Sequence, residues 1–283
     1  MVKIIADSTC DLSKELLERY EVTLLPLHIL LGDAEYEDGR NITPEEIYAW
    51  SDENKTTPKT SAPSMETAMK TFEPWLSQYE ELVVFSISED MSTSANVSRM
   101  AAEELEAGDR IHVINSKNLS TGIGLLVVEA AIMAKEGKDA ASIVSWMEEL
   151  IPRVRASFVV DTLVYLHRGG RCGGLSAMLG SAIKLHPRIV VEDGKMRSDR
   201  KYRGKMKAVV MAYAKDLEEE LCKAKKDRVF ITHSGSEPEI VEEVRSYLTG
   251  LGIFSEVLET RAGGVISSHC GPGTLGVLFI GGK

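Results

Sequence analysis

Met1-Val2-Lys3-Ile4-Ile5-Ala6-Asp7-Ser8-Thr9 is the stretch from which the fold of the first half follows. Its apolar, β-branched run predicts a strand over residues 2–6 that is covered on both faces, as in a parallel sheet. An acid at position 7 comes too early for a secretory leader, so the run reads as structure and the chain as cytoplasmic. Strands of similar composition are predicted over residues 22–31, 82–88 and 111–115. Between them the apolar spacing turns helical. Leu12, Leu16, Leu17 and Tyr20 follow Asp11, the expected N-cap. Thr43-Pro44-Glu45-Glu46 is a capping box with proline at the first helical position. Residues 122–135 read as a long apolar helix stopped by Gly137. Strands alternating with helices imply βαβ units, hence a mostly parallel sheet with helices on both faces.

From about residue 152 the rhythm changes. Residues 189–196 read as two strands joined at Asp193-Gly194, a strong hairpin signal. Further strands are expected at 157–161, 229–232, 255–259 and 275–280, with helices at about 205–222 and 238–249. Hairpins mixed with helices suggest an α+β second domain, and Pro152 divides the chain into residues 1–151 and 152–283. At 283 residues the chain is long enough for two domains. A composition 43% hydrophobic and 27% charged excludes a disordered protein. A net charge of −10 argues against wholesale coating of nucleic acid or adhesion to an anionic bilayer. No apolar run approaches the roughly 18 residues a membrane span needs.

Cofactor and metal chemistry find no signature. The cysteines at 10, 172, 222 and 270 form no CxxC pair and have no histidine in ligand register, so neither a zinc site nor a disulfide framework is expected. Walker A, HExxH and GxSxG patterns are absent. Gly271-Pro272-Gly273-Thr274-Leu275-Gly276 spells GxGxxG, but only seven residues follow it, too few for the helix and acidic ribose partner of a dinucleotide site. It reads as a turn-rich loop. Three hydroxyl-dense segments stand out instead: Asp7-Ser8-Thr9, Lys59-Thr60-Ser61-Ala62-Pro63-Ser64 and Ser92-Thr93-Ser94. In a parallel sheet, β-to-α loops collect at the carboxyl edge where ligands bind. Each hydroxyl alone is an ordinary helix cap. Three such segments on one edge favour a small anion or carboxylate, held by hydroxyls and free N–H groups.

His269, in the glycine-flanked loop Ser267-Ser268-His269-Cys270-Gly271, is able to donate an imidazole N–H to such an anion. Ser92 and His269 also invite an acyl hydrolase or acyltransferase reading, but no orienting acid lies in the same loop. Residues 167–207 form a charge island, with eleven basic residues against three acids, a local +8 that leaves −18 for the rest of the chain. It includes Arg168, Arg171, Lys184, Arg200 and Arg203 and encloses Gly169-Gly170-Arg171-Cys172-Gly173-Gly174. A solvated face is the ordinary fate of such a run; docking of an acidic partner or of phosphate is the alternative. Tyr202 alone interleaves, so no stacking platform for nucleic acid is expected.

Taken in order, these motifs resemble the DegV family of bacterial fatty-acid-binding proteins over essentially the whole length. Asp7-Ser8-Thr9-Cys10-Asp11-Leu12 resembles the family's DSTSDL start, and Thr60-Ser61-Ala62-Pro63-Ser64 its TSQPS loop. Ser92-Thr93-Ser94 falls where the family has SGT. The run from Asp161 to Arg171 is similar to DTLEYLKRGGR, and Ser268-His269-Cys270-Gly271-Pro272-Gly273 to the closing THxGPG. The resemblance implies a Rossmann-like first domain and an α/β second domain, with one long-chain fatty acid between them. It implies no catalysis and no cofactor. Its carboxylate would be gripped by Thr60, Ser61, Ser92 and Thr93 together with His269, and its chain would lie in an acyl pocket carried by residues 152–283. It further implies that the acid is presented to a separate fatty-acid kinase catalytic protein, whose acyl phosphate product feeds phospholipid synthesis. Arg171, Arg200 and Arg203 are the expected kinase-facing residues. The sequence departs from the family pattern at Cys10, Ala62, Thr93, Ala95, Cys172 and His186.

Overall fold

The computed structural model describes residues 1–172 and 185–282, so Gly173, Gly174 and Lys184 of the charge island lie outside the described residues. The opening run forms β1 (Val2–Asp7), buried at every position. It is followed by β2 (Thr23–Leu25), β3 (His28–Leu31), β4 (Ala34–Glu37), β5 (Lys59–Ser61), β6 (Glu81–Ser86) and β7 (Ile111–Asn115). Strands β2-β1-β6-β7 pair in that order, all parallel. The single strand expected over 22–31 is broken at Pro26, which has no N–H to donate to a ladder. Its first part enters the parallel sheet. Its second part, β3, is the centre of a separate antiparallel sheet ordered β4-β3-β5.

Helix starts follow local chemistry with one correction. Helix α1 (Lys14–Arg19) is capped by Ser13, whose Oγ accepts from Leu16 N–H, and not by Asp11. Asp11 sits at φ 51 with its carboxylate turned elsewhere. Helix α2 (Pro44–Asn54) carries both bonds of the capping box. Helix α3 (Met65–Leu76) is capped by Ser64, and α4 (Ser94–Glu104) follows β6. After them come α5 (Thr121–Lys135) and α6 (Ala140–Leu150).

The remaining chain holds β8 (Val154–Val159), α7 (Val164–Gly169), β9 (Leu185–Glu192), β10 (Lys195–Arg203), α8 (Met206–Asp216) and α9 (Glu218–Cys222). It continues through β11 (Arg228–His233), α10 (Pro238–Gly250), β12 (Glu256–Arg261), α11 (Gly264–Cys270) and β13 (Leu275–Ile280). A mixed six-stranded sheet runs β10-β9-β8-β13-β11-β12. The β9–β10 hairpin turns at Asp193 and Gly194, both at positive φ as a type I′ turn requires. The architecture is therefore α/β, a parallel sheet followed by a mixed one.

Helix α5 explains how the two sheets meet. Its residues from Thr121 to Ala131 are all buried, because it packs on β1 on one side and on β8 and β13 on the other. A helix apolar around its whole circumference needs such a double seat. One core accordingly runs from Ile4 and Val83 through Leu125 and Val128 to Phe158, Phe230 and Leu278. Glu129, near the far end of α5, accepts from Lys225 Nζ at 3.1 Å and pairs with the buried Arg228.

Candidate ligand-binding site

A cavity of about 440 Å³ opens where the parallel sheet, the small antiparallel sheet and α11 meet. Its polar lining gathers Thr60, Ser61, Ser92, Thr93 and His269, with the exposed Arg171, Glu89 and Asp90 at the rim. Leu27, Ile87, Met91 and Leu119 from the first half, and Met196, Val265, Ile266 and Cys270 from the second, supply the apolar wall. Both halves of the chain build this cavity, not residues 152–283 alone. Beyond Leu119, Ile266 and Cys270 a narrow cleft of about 20 Å³ continues between Phe158 and Leu278.

The three hydroxyl segments reach this place differently from the expectation. Residues Lys59–Ser61 are not a β-to-α loop of the parallel sheet. They form β5, where Thr60 pairs with Ile29. Ser92 and Thr93 lie beyond β6, just before α4. Thr93 stands at the N-cap of α4 but makes no capping bond, so its exposed hydroxyl is uncommitted to the helix. Ser92 Oγ accepts from Ser94 N–H at 3.2 Å. The first segment turns inward. The Asp7 carboxylate takes Ile87 N–H at 2.8 Å, Ser94 Oγ at 3.1 Å and Ser86 Oγ at 3.2 Å, which ties the approach to Ser92 onto the end of β1. Ser8 donates to Asp38, and Thr9 folds back on Asp7. Neither hydroxyl caps a helix or lines the cavity; the Asp7 carboxylate caps the short turn that follows, accepting from Thr9 N–H at 3.2 Å. Asp7, Asp11 and Asp38 are not legible as a group in the sequence, because their carboxylates meet only in the folded chain.

His269 lies on α11, not in a loop. Helical periodicity puts Val265, Ile266, His269 and Cys270 on the cavity face. Its Nε2 is 2.8 Å from Thr60 Oγ1. Burial, reinforced by the nearby Arg171 guanidinium, pulls the imidazole down to about 4, so the ring is neutral at neutral pH. Its Nδ1 is buried without a partner among the described residues. That nitrogen faces Gly169, where an added Cβ would stand 2.4 Å away. An orienting acid for a Ser/His hydrolase would need that position, and Ser92 is not the group bonded to Nε2. The packing also yields a prediction. In Gly169→Ala the ring must move off Thr60, so the His269 NMR resonances should shift while the circular dichroism spectrum stays native; unchanged resonances would refute the contact.

The sequence model described as "Uncharacterised protein, DegV family" matches residues 1–281. The chain belongs to the DegV family. A DegV domain-containing protein of Caldanaerobacter subterraneus subsp. tengcongensis is 31% identical over 98% of both chains. Among solved structures, a DegV family protein from Thermus thermophilus, described by its fatty acid binding, superposes with a TM-score of 0.90 at 30% identity, covering 99% of each chain. A stearic acid-binding protein from Eubacterium ventriosum reaches 0.84 at 30% identity, covering 99% of this chain and 98% of its own.

Within this DegV chain the departures from the family pattern have defined surroundings. Ala62 and Thr93 line the cavity, and Ala95 is fully buried behind Thr93 at the start of α4. Cys10 and Cys172 are buried. His186 is buried, with Nδ1 3.0 Å from Val160 O and Nε2 3.2 Å from Gly204 O. Half of the described basic residues of the charge island are ion-paired. Arg188 meets Asp199, Arg197 meets Glu192, Arg200 meets Asp216, Lys195 meets Asp90 and Lys207 meets Glu239. Arg203 is exposed and has no ion-pair partner among the described residues. Arg171 is separated from Arg200 and Arg203 in role: it lines the cavity, with Nη1 donating to Gly169 O at 2.6 Å. No helix among the described residues is long and apolar enough to cross a membrane.

Proposed function

We propose that this protein binds one long-chain fatty acid in the cavity between residues 1–151 and 152–283. The observation that carries the reading is a cavity with a mostly apolar wall whose hydroxyls and one neutral imidazole come together. Burying about 14 methylenes at roughly 0.8 kcal/mol each contributes on the order of 11 kcal/mol gross, reduced by ordering and association costs. The carboxylate has only to find donors in place of water. Ser61, Ser92 and Thr93 offer them, and Thr60 is held by His269. The relatives described as fatty-acid binding support the same cargo.

In this proposal the protein carries the acid without transforming it and presents it to a fatty-acid kinase catalytic protein, which would form the acyl phosphate. Two features support that step. Ser61 and Thr93 are exposed, so the head group would be within reach of a phosphoryl donor, and exposed Arg171 stands beside it. Arg200 and Arg203 extend the proposed partner face. The groups nearest the head group, Thr60, Ser61, Ser92, Thr93 and His269, are uncharged, and the one cation of the lining, Arg171, would face the incoming phosphoryl group.

Native mass spectrometry of protein expressed in bacteria should show one bound fatty acid per chain, and His269→Ala should retain less of it. Protein that is empty, and gains no thermal stability from any acid of about 14–20 carbons, would overturn the reading.

A further inference from the structure

Helix α11 forms one wall of the cavity, yet no side chain of its own caps it, since its N-cap is Gly263. Its first N–H groups are met from the other half of the chain. Gly263 N–H donates to Asp11 Oδ1 at 2.8 Å, and Gly264 N–H to Asp38 Oδ1 at 2.7 Å. These carboxylates are only 4% and 1% exposed. Their other oxygens are occupied too: Ser120 Oγ donates to Asp11 at 2.6 Å and Ser8 Oγ to Asp38 at 2.8 Å. Ser8 Oγ accepts in turn from Leu27 N–H at 3.2 Å, and Leu27 is itself part of the cavity wall. A chain of bonds from Leu27 through Ser8 and Asp38 to Gly264 thus joins two walls of one cavity. The seat has no slack, since a Cβ on Gly264 would stand 2.6 Å from Ile29 Cδ1 and 3.0 Å from Asp38 Oδ1.

Buried carboxylates are costly unless their donors are complete, and the start of a helix is where a negative group is best placed. We propose that Asp38, seconded by Asp11, is a positioning residue of the binding site: it fixes the start of α11 and, through that helix, the orientation of His269 toward Thr60. Its consequence for cargo rests on the fatty-acid reading. The positioning itself does not.

The test follows the His269 ring by NMR pH titration and, in parallel, the rate at which bound fatty acid is released. In Asp38→Ala the ring titration should rise from about 4 toward 6.5 as water reaches it. Release should quicken about fivefold, the effect of one lost cap. Asp38→Asn keeps an oxygen for Gly264 and should stay near wild type in both readouts, which a general loss of stability would not reproduce. Should Asp38→Ala not fold, Ser8→Ala is expected to raise the ring titration in the same direction. An unmoved ring in a folded Asp38→Ala or Ser8→Ala protein, or equal defects in the Ala and Asn variants, would overturn the inference. Wild-type protein without any bound acid would instead overturn the binding function, with the ring titration still deciding the positioning role.

Discussion

Glu129→Ala should lower the unfolding free energy by about 3–5 kcal/mol, because removing one member of a buried ion pair leaves the other charge without compensation. Glu129 and Arg228 are only 8% and 7% exposed. The carboxylate also accepts from Lys225 Nζ at 3.1 Å through both oxygens. Among the described residues Arg228 has one other acid in range, Glu256, at 3.9 Å from its Nε. Loss of Glu129 would therefore strand a guanidinium between α5 and β11, where the two sheets share their core. Urea denaturation reads the effect. The double variant Glu129→Leu with Arg228→Met should recover most of the loss, since an apolar pair of similar volume has no charge to desolvate. A single variant within about 1 kcal/mol of wild type would show that water already screens the pair.

His269→Gln should remove a loss of stability on acidification between about pH 6.5 and 4. The native imidazole is pulled down to about 4 from its ordinary 6.5, so the unfolded chain binds that proton first as pH falls. Stability is then lost on acidification through this window, by about 3 kcal/mol in all. Asp38 acts in the opposite sense. Burial pushes its carboxyl up to about 6 from 3.8, so the native state takes the proton first and stability is gained as pH falls through the same range, again by about 3 kcal/mol. Burial raises Asp7 and Asp11 as well, adding to the gain. In the wild type these effects oppose one another. Without His269 that loss is absent, so the urea midpoint of the variant should hold up better than that of the wild type as pH falls from 6.5 to 4. His233, which burial also lowers, is present in both proteins and cancels in the comparison. Parallel profiles for variant and wild type would show that the ring is solvated in the native state.

Much of the site is legible in the sequence. Hydroxyl density beside predicted strands singles out Thr60, Ser61, Ser92 and Thr93, the glycine-flanked motif singles out His269, and the structure brings all five to one cavity. Legibility fails where a side chain's partner is distant along the chain. Asp11 has the look of a local cap because Leu12, Leu16 and Leu17 follow it, yet its carboxylate serves Gly263 across the molecule. Ser8 has the look of a ligand hydroxyl and is instead spent on Asp38 and Leu27. Charge alone groups Arg171 with Arg200 and Arg203, whereas the fold places Arg171 at the cavity rim and neutralises Arg200 with Asp216.

Local patterns by themselves determined β1, β6, β7, β11 and β13, the cap at Thr43, the Asp193-Gly194 hairpin and the hydroxyl-dense segments. Period and turn chemistry act over a few residues, so they survive without the rest of the molecule. Tertiary structure alone decided that α5 is shared by two sheets, that β5 joins β3 in a separate antiparallel sheet, and that acids near the start of the chain seat the helix bearing His269. Those outcomes depend on burial and on donors and acceptors far apart along the chain, and a carboxylate's surroundings exist only once the chain has closed around it.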